Sequence, residues 1–247
     1  QAAAALVVSE GEPGIARDLA PEANVHVLGN GVELDRLRPT QPPKRRPQVV
    51  FCGVMNYAPN DEGMTWFVRN VWPLVRTHRP DANLVVVGPD PSAAFRTLCG
   101  GDASITVTGR VPDVREWLWD SAVGIAPLSV ARGVQNKALE AIASGLPIVI
   151  TDAVAGGLPP EAAPASLVAN SPWYFADHIL YLLSHKPEER RAIAASADLS
   201  TLAWPQRLEP LLPILECAAE ARAYHVRPAS IPFKLSVSHT DLSPDRN

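Results

Sequence analysis

Arg132, Asn136 and Lys137 crowd the start of a predicted helix in the stretch ARGVQNKALEAIASGLPIVI (131–150), and Glu140 follows about one turn further in. The first turn of a helix carries N–H groups without intrahelical acceptors and a partial positive charge, which suits a phosphate. The backbone of Gly133, Val134, Gln135 and Asn136 would supply donors, and Arg132 and Lys137 would supply full charges. A carboxylate repels phosphate, yet Glu140 is placed to accept hydrogen bonds from a ribose diol. Phosphate and ribose together make a nucleotide. The same residues also fit a solvated surface helix with Lys137 and Glu140 as an i,i+3 pair, and charge placement alone leaves both readings open.

Such a site needs a scaffold that delivers several loops to one rim. Strand-like runs ALVVSE and NVHVLGNGV, with a helix expected between them, precede the Pro-rich basic linker TQPPKRRP (40–47). After it, β-branched runs alternate with helical stretches. QVVFCG, ANLVVVGPD, ASITVTG, AVGIAPL, LPIVITD and ASLVA read as strands; 61–77, 91–99, 113–121 and 135–144 read as helices. Strands that are apolar on both faces and separated by helices predict an α/β fold, a Rossmann-like doubly wound parallel sheet. C-terminal helices are expected over 172–184, 187–197 and 204–225. The resulting division is an interdomain segment over 1–40, a Rossmann-like domain over 41–200, a C-terminal helix over 201–225 and a tail over 226–247. That tail is rich in proline and serine, and its composition predicts disorder.

Open parallel sheets bind ligands at the C-terminal ends of their strands. The loops Gly53–Asn60, Gly88–Pro91, Gly109–Asp113 and Pro127–Asn136 therefore belong to the candidate rim, and in them Asn56 and the backbone of Gly53 can face a cleft. Asn60 and Asp113 read as helix N-caps. Trp66, Trp72, Trp117 and Trp119 fall at helical spacings and read as core, and Trp204 as packing for the last helix.

The totals narrow the class. A net charge of −4 and a pI near 5.9 argue against nucleic acid as a partner, which would need a concentrated basic face. Cys52, Cys99 and Cys217 lie far apart, with no CxxC pair and no neighbouring histidine pair. A zinc site or disulfide framework is not expected, and a reducing compartment is. No apolar run approaches the ~20 residues that span a bilayer, and the opening QAAAALVVSE lacks the basic start of a signal peptide, so it reads as the interior of a larger protein.

Three longer stretches carry a family resemblance. VVSEGEPGIARDLAPEANVHVLGNGVELDRLRP has a serine–acid pair followed by NGV and a D…P ending; VTGRVPDVREWLWDSAVGIAPL leads into the helix entrance; NKALEAIASGLPIVIT contains Glu140. Together, over about 5–218, they resemble the C-terminal, nucleotide-sugar-binding half of GT-B glycosyltransferases of family 4 (group 1). GVMNYAPNDEG with ARGVQNKALEA is similar to bacterial sugar transferases associated with exopolysaccharide and exosortase systems.

The resemblance implies transfer of a sugar from a nucleoside-diphosphate sugar to a sugar or lipid-linked acceptor. It further implies retention of anomeric configuration, no metal or other cofactor, and a cytoplasmic location, at most peripheral at the inner membrane face. Glu140 would contact ribose, and Arg110 and Val111, with Pro112, would lie in the loop that sets the base. Two departures stand out. Arg132 occupies the place of a first glutamate that meets the donor sugar in relatives, and Val54 and Asn60 match positions where many relatives carry basic residues for the pyrophosphate. Arg132 and Lys137 are the expected substitutes. The family's N-terminal, acceptor-binding domain is expected to be supplied in cis or in trans. The competing reading is a non-catalytic or partner-dependent nucleotide-sugar-binding module.

Overall fold

The computed structural model describes residues 4–8, 24–40 and 46–225, with single positions at 14, 18, 21 and 42. The tail expected over 226–247 and most of the helix expected between the first two strands lie outside those residues. β1 (Ala5–Val7) and β2 (Val25–Val27) pair in parallel with each other. β3 (Gln48–Cys52), β4 (Asn83–Val87), β5 (Ile105–Gly109), β6 (Val123–Ala126), β7 (Ile148–Ile150) and β8 (Ser166–Val168) form a six-stranded parallel sheet in the order β5-β4-β3-β6-β7-β8. The helices are α1 (Leu34–Leu37), α2 (Ala58–Trp66), α3 (Trp72–His78), α4 (Ala93–Cys99), α5 (Arg115–Trp119), α6 (Asn136–Ala143), α7 (Asp152–Ala155), α8 (Pro172–Ser184), α9 (Pro187–Ala195), α10 (Trp204–Leu208) and α11 (Leu211–His225). A π-helical turn, Phe67–Val71, joins α2 to α3.

The expected α/β fold is the observed one, and composition explains it. Val49, Val50 and Phe51 of β3, Leu84 to Val87 of β4, β6 and β7 are all buried, as strands covered by helices on both faces must be. The edge strands β5 and β8 are less buried, and β5 carries Thr106 and Thr108 between its apolar residues. Two polar pairs are bonded inside the core: Trp72 Nε1 donates to Ser104 Oγ at 3.0 Å, and Gln48 Nε2 to Ser121 Oγ at 3.0 Å. Ser92 and Ser171 cap α4 and α8 through bonds from Phe95 N and Tyr174 N.

The chain winds outward from β3 through β4 to β5, then crosses back to start β6 on the other side of β3, where Val49 pairs with Val123. The connections from β3 and β6 therefore leave in opposite directions and open a crevice at their C-terminal ends. Residues 24–40 pack against this unit: Val32 and Leu37 are buried, Val32 N donates to Leu202 O at 2.8 Å, and Trp119 Nε1 donates to Leu37 O at 2.8 Å.

Three local expectations are corrected. The helix expected from 61 begins at Ala58, with Pro59 in its first turn and Tyr57 at the N-cap position, so Asn60 is inside the helix and caps nothing. The single helix expected over 204–225 is two, because Pro210 lacks the N–H that would continue α10. Val114 rather than Asp113 holds the N-cap position of α5, although Asp113 Oδ1 accepts the Arg115 N–H at 2.9 Å.

The loops after β3 and β4 touch backbone to backbone. Gly88 has φ +151°, and a Cβ there would stand 1.8 Å from the Gly53 carbonyl oxygen. Gly88→Ala should therefore lower the unfolding free energy by more than about 2 kcal/mol, whereas Gly101→Ala, where a Cβ meets nothing within 4 Å, should change it by less than about 0.5 kcal/mol. Urea denaturation of both variants measures the difference, and equal stabilities would contradict the contact.

Candidate functional site

All four expected loops follow the C-terminal ends of parallel strands and so share a rim, with the crevice between β3 and β6 at its centre. The loop entering α6 turns at Gly133, which has φ +62°. Its backbone lies so close to Gly157 that a Cβ on the latter would be 2.4 Å from the Gly133 oxygen. Gln135 holds the N-cap position of α6, but its side chain makes no cap; Nε2 donates to Arg132 O at 3.2 Å instead. The N–H groups of Asn136 and Lys137 have no intrahelical acceptor and remain available to an anion.

Lys137 turns from α6 across the crevice. Its Nζ donates to Asn60 Oδ1 on α2 at 2.5 Å and stands 5.0 Å from the centre of the Phe51 ring. The i,i+3 pairing with Glu140 that a surface helix would show is replaced by this cross-crevice bond. Burial pulls the Lys137 ammonium from 10.5 down to about 8, with Cys52 and Glu140 opposing the shift. Burial, reinforced by Glu140, pushes the Cys52 thiol up to about 12 against the pull of Lys137. Burial also raises the Glu140 carboxyl above its usual range; Lys137 counteracts this and Glu33 adds to it.

Glu140 lines a cavity of about 390 Å³ with Gly31, Glu33, Pro112, Asp113, Asn136 and Trp204. Such a volume lies within the range of about 300–1,000 Å³ typical of small-molecule sites. The other carboxylates of its wall are already engaged: Glu33 pairs with Arg36 at 3.2 Å, and Asp113 takes bonds from Arg115 that hold its carboxyl down to about 2. Glu140 accepts no hydrogen bond among the described residues. A second cavity, of about 700 Å³, is lined by Ala131, Gly133 and Val134 of the same loop together with Asn30, Asp152 and Gly157. Asn30 Nδ2 donates to Asn136 Oδ1 at 3.3 Å between the two.

The structure thus gathers Gly53, Lys137, Asn136 and Glu140 at the crevice, since a Cβ on Gly53 would come 3.0 Å from Asn60 Nδ2. Gly133 and Val134 face the second cavity. Arg132, Arg110 and Asn56 are exposed and make no side-chain bond among the described residues. Val111 is partly buried against the core, so Pro112 rather than Val111 lines the Glu140 cavity. Asn60, read as a helix cap in the rim loop, Phe51, read only as part of a strand, and Trp204, read as helix packing, are residues of the site. Asn60 carried one usable signal, an amide at a position otherwise read as basic. Among the described residues no three His, Cys, Asp or Glu side chains cluster as metal ligands, and no helix is long and apolar enough to cross a membrane.

Comparisons with known proteins agree on the architecture. A family model described as glycosyl transferases group 1 matches residues 46–185. A Klebsiella pneumoniae protein described as an uncharacterized 44.6 kDa protein in the cps region is 24% identical over 139 residues, covering 53% of this chain and 36% of that protein. Among solved structures, a mutant S. aureus TarM in complex with fondaparinux, α-GlcNAc-glycerol and UDP superposes with a TM-score of 0.70 at 15% identity, covering 86% of this chain and 43% of TarM. Anabaena HepE in complex with UDP and glucose gives 0.64 at 13% identity, covering 90% of this chain and 63% of HepE. At these identities the structural likeness is one of fold, and this chain spans less than two thirds of each relative.

The three thiols should separate by reactivity. Cys217 is exposed, whereas Cys99 is buried and Cys52 is held as a protonated thiol beside Glu140. Iodoacetamide at pH 8 should alkylate Cys217 and leave Cys52 and Cys99 intact by peptide mass spectrometry. Rapid labelling of Cys52 would contradict the environment described for it.

Proposed function

This chain belongs to the group 1 glycosyl transferases, and from that premise we propose that it transfers a sugar from a nucleoside-diphosphate sugar to a sugar or lipid-linked acceptor. The observation that carries the assignment of the site is the unpaired Glu140 carboxylate in a cavity whose other acids are bonded, one helical turn from the available N–H groups of Asn136 and Lys137. The nucleoside occupies the cavity of about 390 Å³, its ribose hydroxyls donating to Glu140 and its base against Pro112. The diphosphate lies over the α6 entrance, and the donor sugar extends toward Gly133 and Val134.

As the bond between the anomeric carbon and the terminal phosphate oxygen breaks, the electron pair goes to that oxygen. The Lys137 ammonium and the α6 N–H groups stabilise the growing charge in a partly desolvated setting. The donor charge is met by protein groups, and no metal is called for. The oxygen of an acceptor hydroxyl, presented by a further domain in cis or in trans, bonds to the anomeric carbon on the face the phosphate leaves, which keeps the configuration, and its proton passes to the departing phosphate oxygen. The Klebsiella relative's place in a cps region supports a role in extracellular polysaccharide synthesis. A nucleotide-sugar donor goes with a cytoplasmic protein, peripheral at the membrane where the acceptor is lipid-linked.

One residue favours a second reading, a binding module that completes a site only with a partner chain. Arg132 is exposed and cationic where the resemblance implies an acid against the donor sugar. Hydrolysis of a donor by this chain alone would speak for the enzyme, and binding without turnover for the module.

Calorimetry with UDP, GDP and ADP identifies the preferred nucleotide. For that nucleotide Glu140→Ala should cost about 1 kcal/mol or more, roughly fivefold in affinity. Lys137→Met should weaken the diphosphate while leaving the corresponding nucleoside unchanged. Unaltered diphosphate binding in both variants would overturn the assignment.

A further inference from the structure

We infer that Asn60 is a positioning residue for the diphosphate: its side-chain oxygen sets where the Lys137 ammonium stands at the rim, and because it is uncharged it does so without cancelling that charge. The inference rests on the nucleotide reading of the site given above. Asn60 is 4% exposed, and a buried amide must find partners for its polar atoms. Its Nδ2 donates to Val54 O at 2.8 Å and its Oδ1 accepts from Lys137 at 2.5 Å. This orientation is the one that chemistry permits, since the Val54 carbonyl can only accept and the ammonium can only donate.

The bond crosses the crevice. Val54 and Asn60 belong to the connection leaving β3, whereas Lys137 is rooted in α6, which follows β6. Asn60 takes one of the three ammonium donors, and the Phe51 ring covers the cation from the sheet side. Two donors remain for phosphate oxygens. A carboxylate at position 60 would hold Lys137 more tightly, but the pair would be neutral and would attract an anion less.

The titratable groups facing Lys137 are the Cys52 thiol from β3 and Glu140 from its own helix, with Glu33 beyond Glu140. Cys52 is neutral well above neutral pH, which leaves Glu140 as the carboxyl whose charge acts on Lys137. Burial has brought the ammonium down to about 8, and the charged form is the one a diphosphate selects. Affinity should therefore fall as pH rises through that value.

The test measures binding of the preferred nucleotide among UDP, GDP and ADP, and of its nucleoside, from pH 6 to 10. At pH 7 Asn60→Leu should bind the diphosphate roughly tenfold more weakly, the scale of one charge-assisted bond, with nucleoside binding kept. In a Lys137→Met background the same substitution should have no further effect. Asn60→Asp, which keeps an acceptor for Lys137, should weaken binding at pH 7 and move the fall in affinity above pH 8; it decides the matter if the leucine variant does not fold. An equal loss from Asn60→Leu with and without Lys137, or an unmoved pH profile in Asn60→Asp, overturns the inference while the nucleotide reading stands. Failure of the wild-type chain to bind any of the three nucleotides removes that reading, and the inference with it.

Discussion

A lysine ammonium rooted on one side of the sheet's switch point rests on a side-chain amide from the other, and the site is organised around that contact. The geometry follows from the winding order. Because β3 and β6 are neighbours whose connections depart in opposite directions, the space above their ends is not filled by either connection. Lys137 crosses that space to Asn60, over Phe51 at the end of β3. The close approach of Gly88 to Gly53 fixes the base of the β3 loop, and Gly157 fixes the loop that leads into α6. Both partners of the contact are thus presented by braced backbone.

The two charged groups of α6 then divide the work by their surroundings. Burial disfavours the charge of both, lowering Lys137 and raising Glu140, while their mutual attraction opposes each shift. They are coupled without sharing a hydrogen bond. Lys137 spends one donor on a neutral amide, and Glu140 has no bond among the described residues while Glu33 and Asp113 are occupied by Arg36 and Arg115. In the proposed reading, that leaves a cation for a diphosphate and an acceptor for a diol within one turn of helix.

Much of the fold was legible because β-branched runs buried on both faces leave few alternatives to a parallel sheet. The alternation of strands and helices and the rim of loops followed from that pattern, whereas the spatial order of the strands came only with the structure. The helix entrance near Asn136 was legible too, from Gly133 and the apolar spacing after it. Asn60 was misread because local capping preference sees only neighbours in sequence, and its amide is committed to a lysine 77 residues away. Trp204 was assigned to helix packing, yet it forms a wall of the Glu140 cavity after the chain returns beside Gly31, a placement that no local pattern encodes. Pro210 was in plain view, and its missing N–H divides the last helix where periodicity alone runs on. Arg132 was chosen for charge and Arg110 for its place in the loop expected to set the base, and the fold leaves both exposed without a bonded partner among the described residues.

The most direct measurement is a crystal structure of this chain with its preferred nucleoside diphosphate. The account predicts phosphate oxygens within hydrogen-bond distance of Lys137 Nζ and of the N–H groups opening α6, with the ribose hydroxyls on Glu140 and Lys137 still bonded to Asn60. A nucleotide seated away from the β3–β6 crevice, or one whose phosphates lie beyond reach of Lys137, would contradict it.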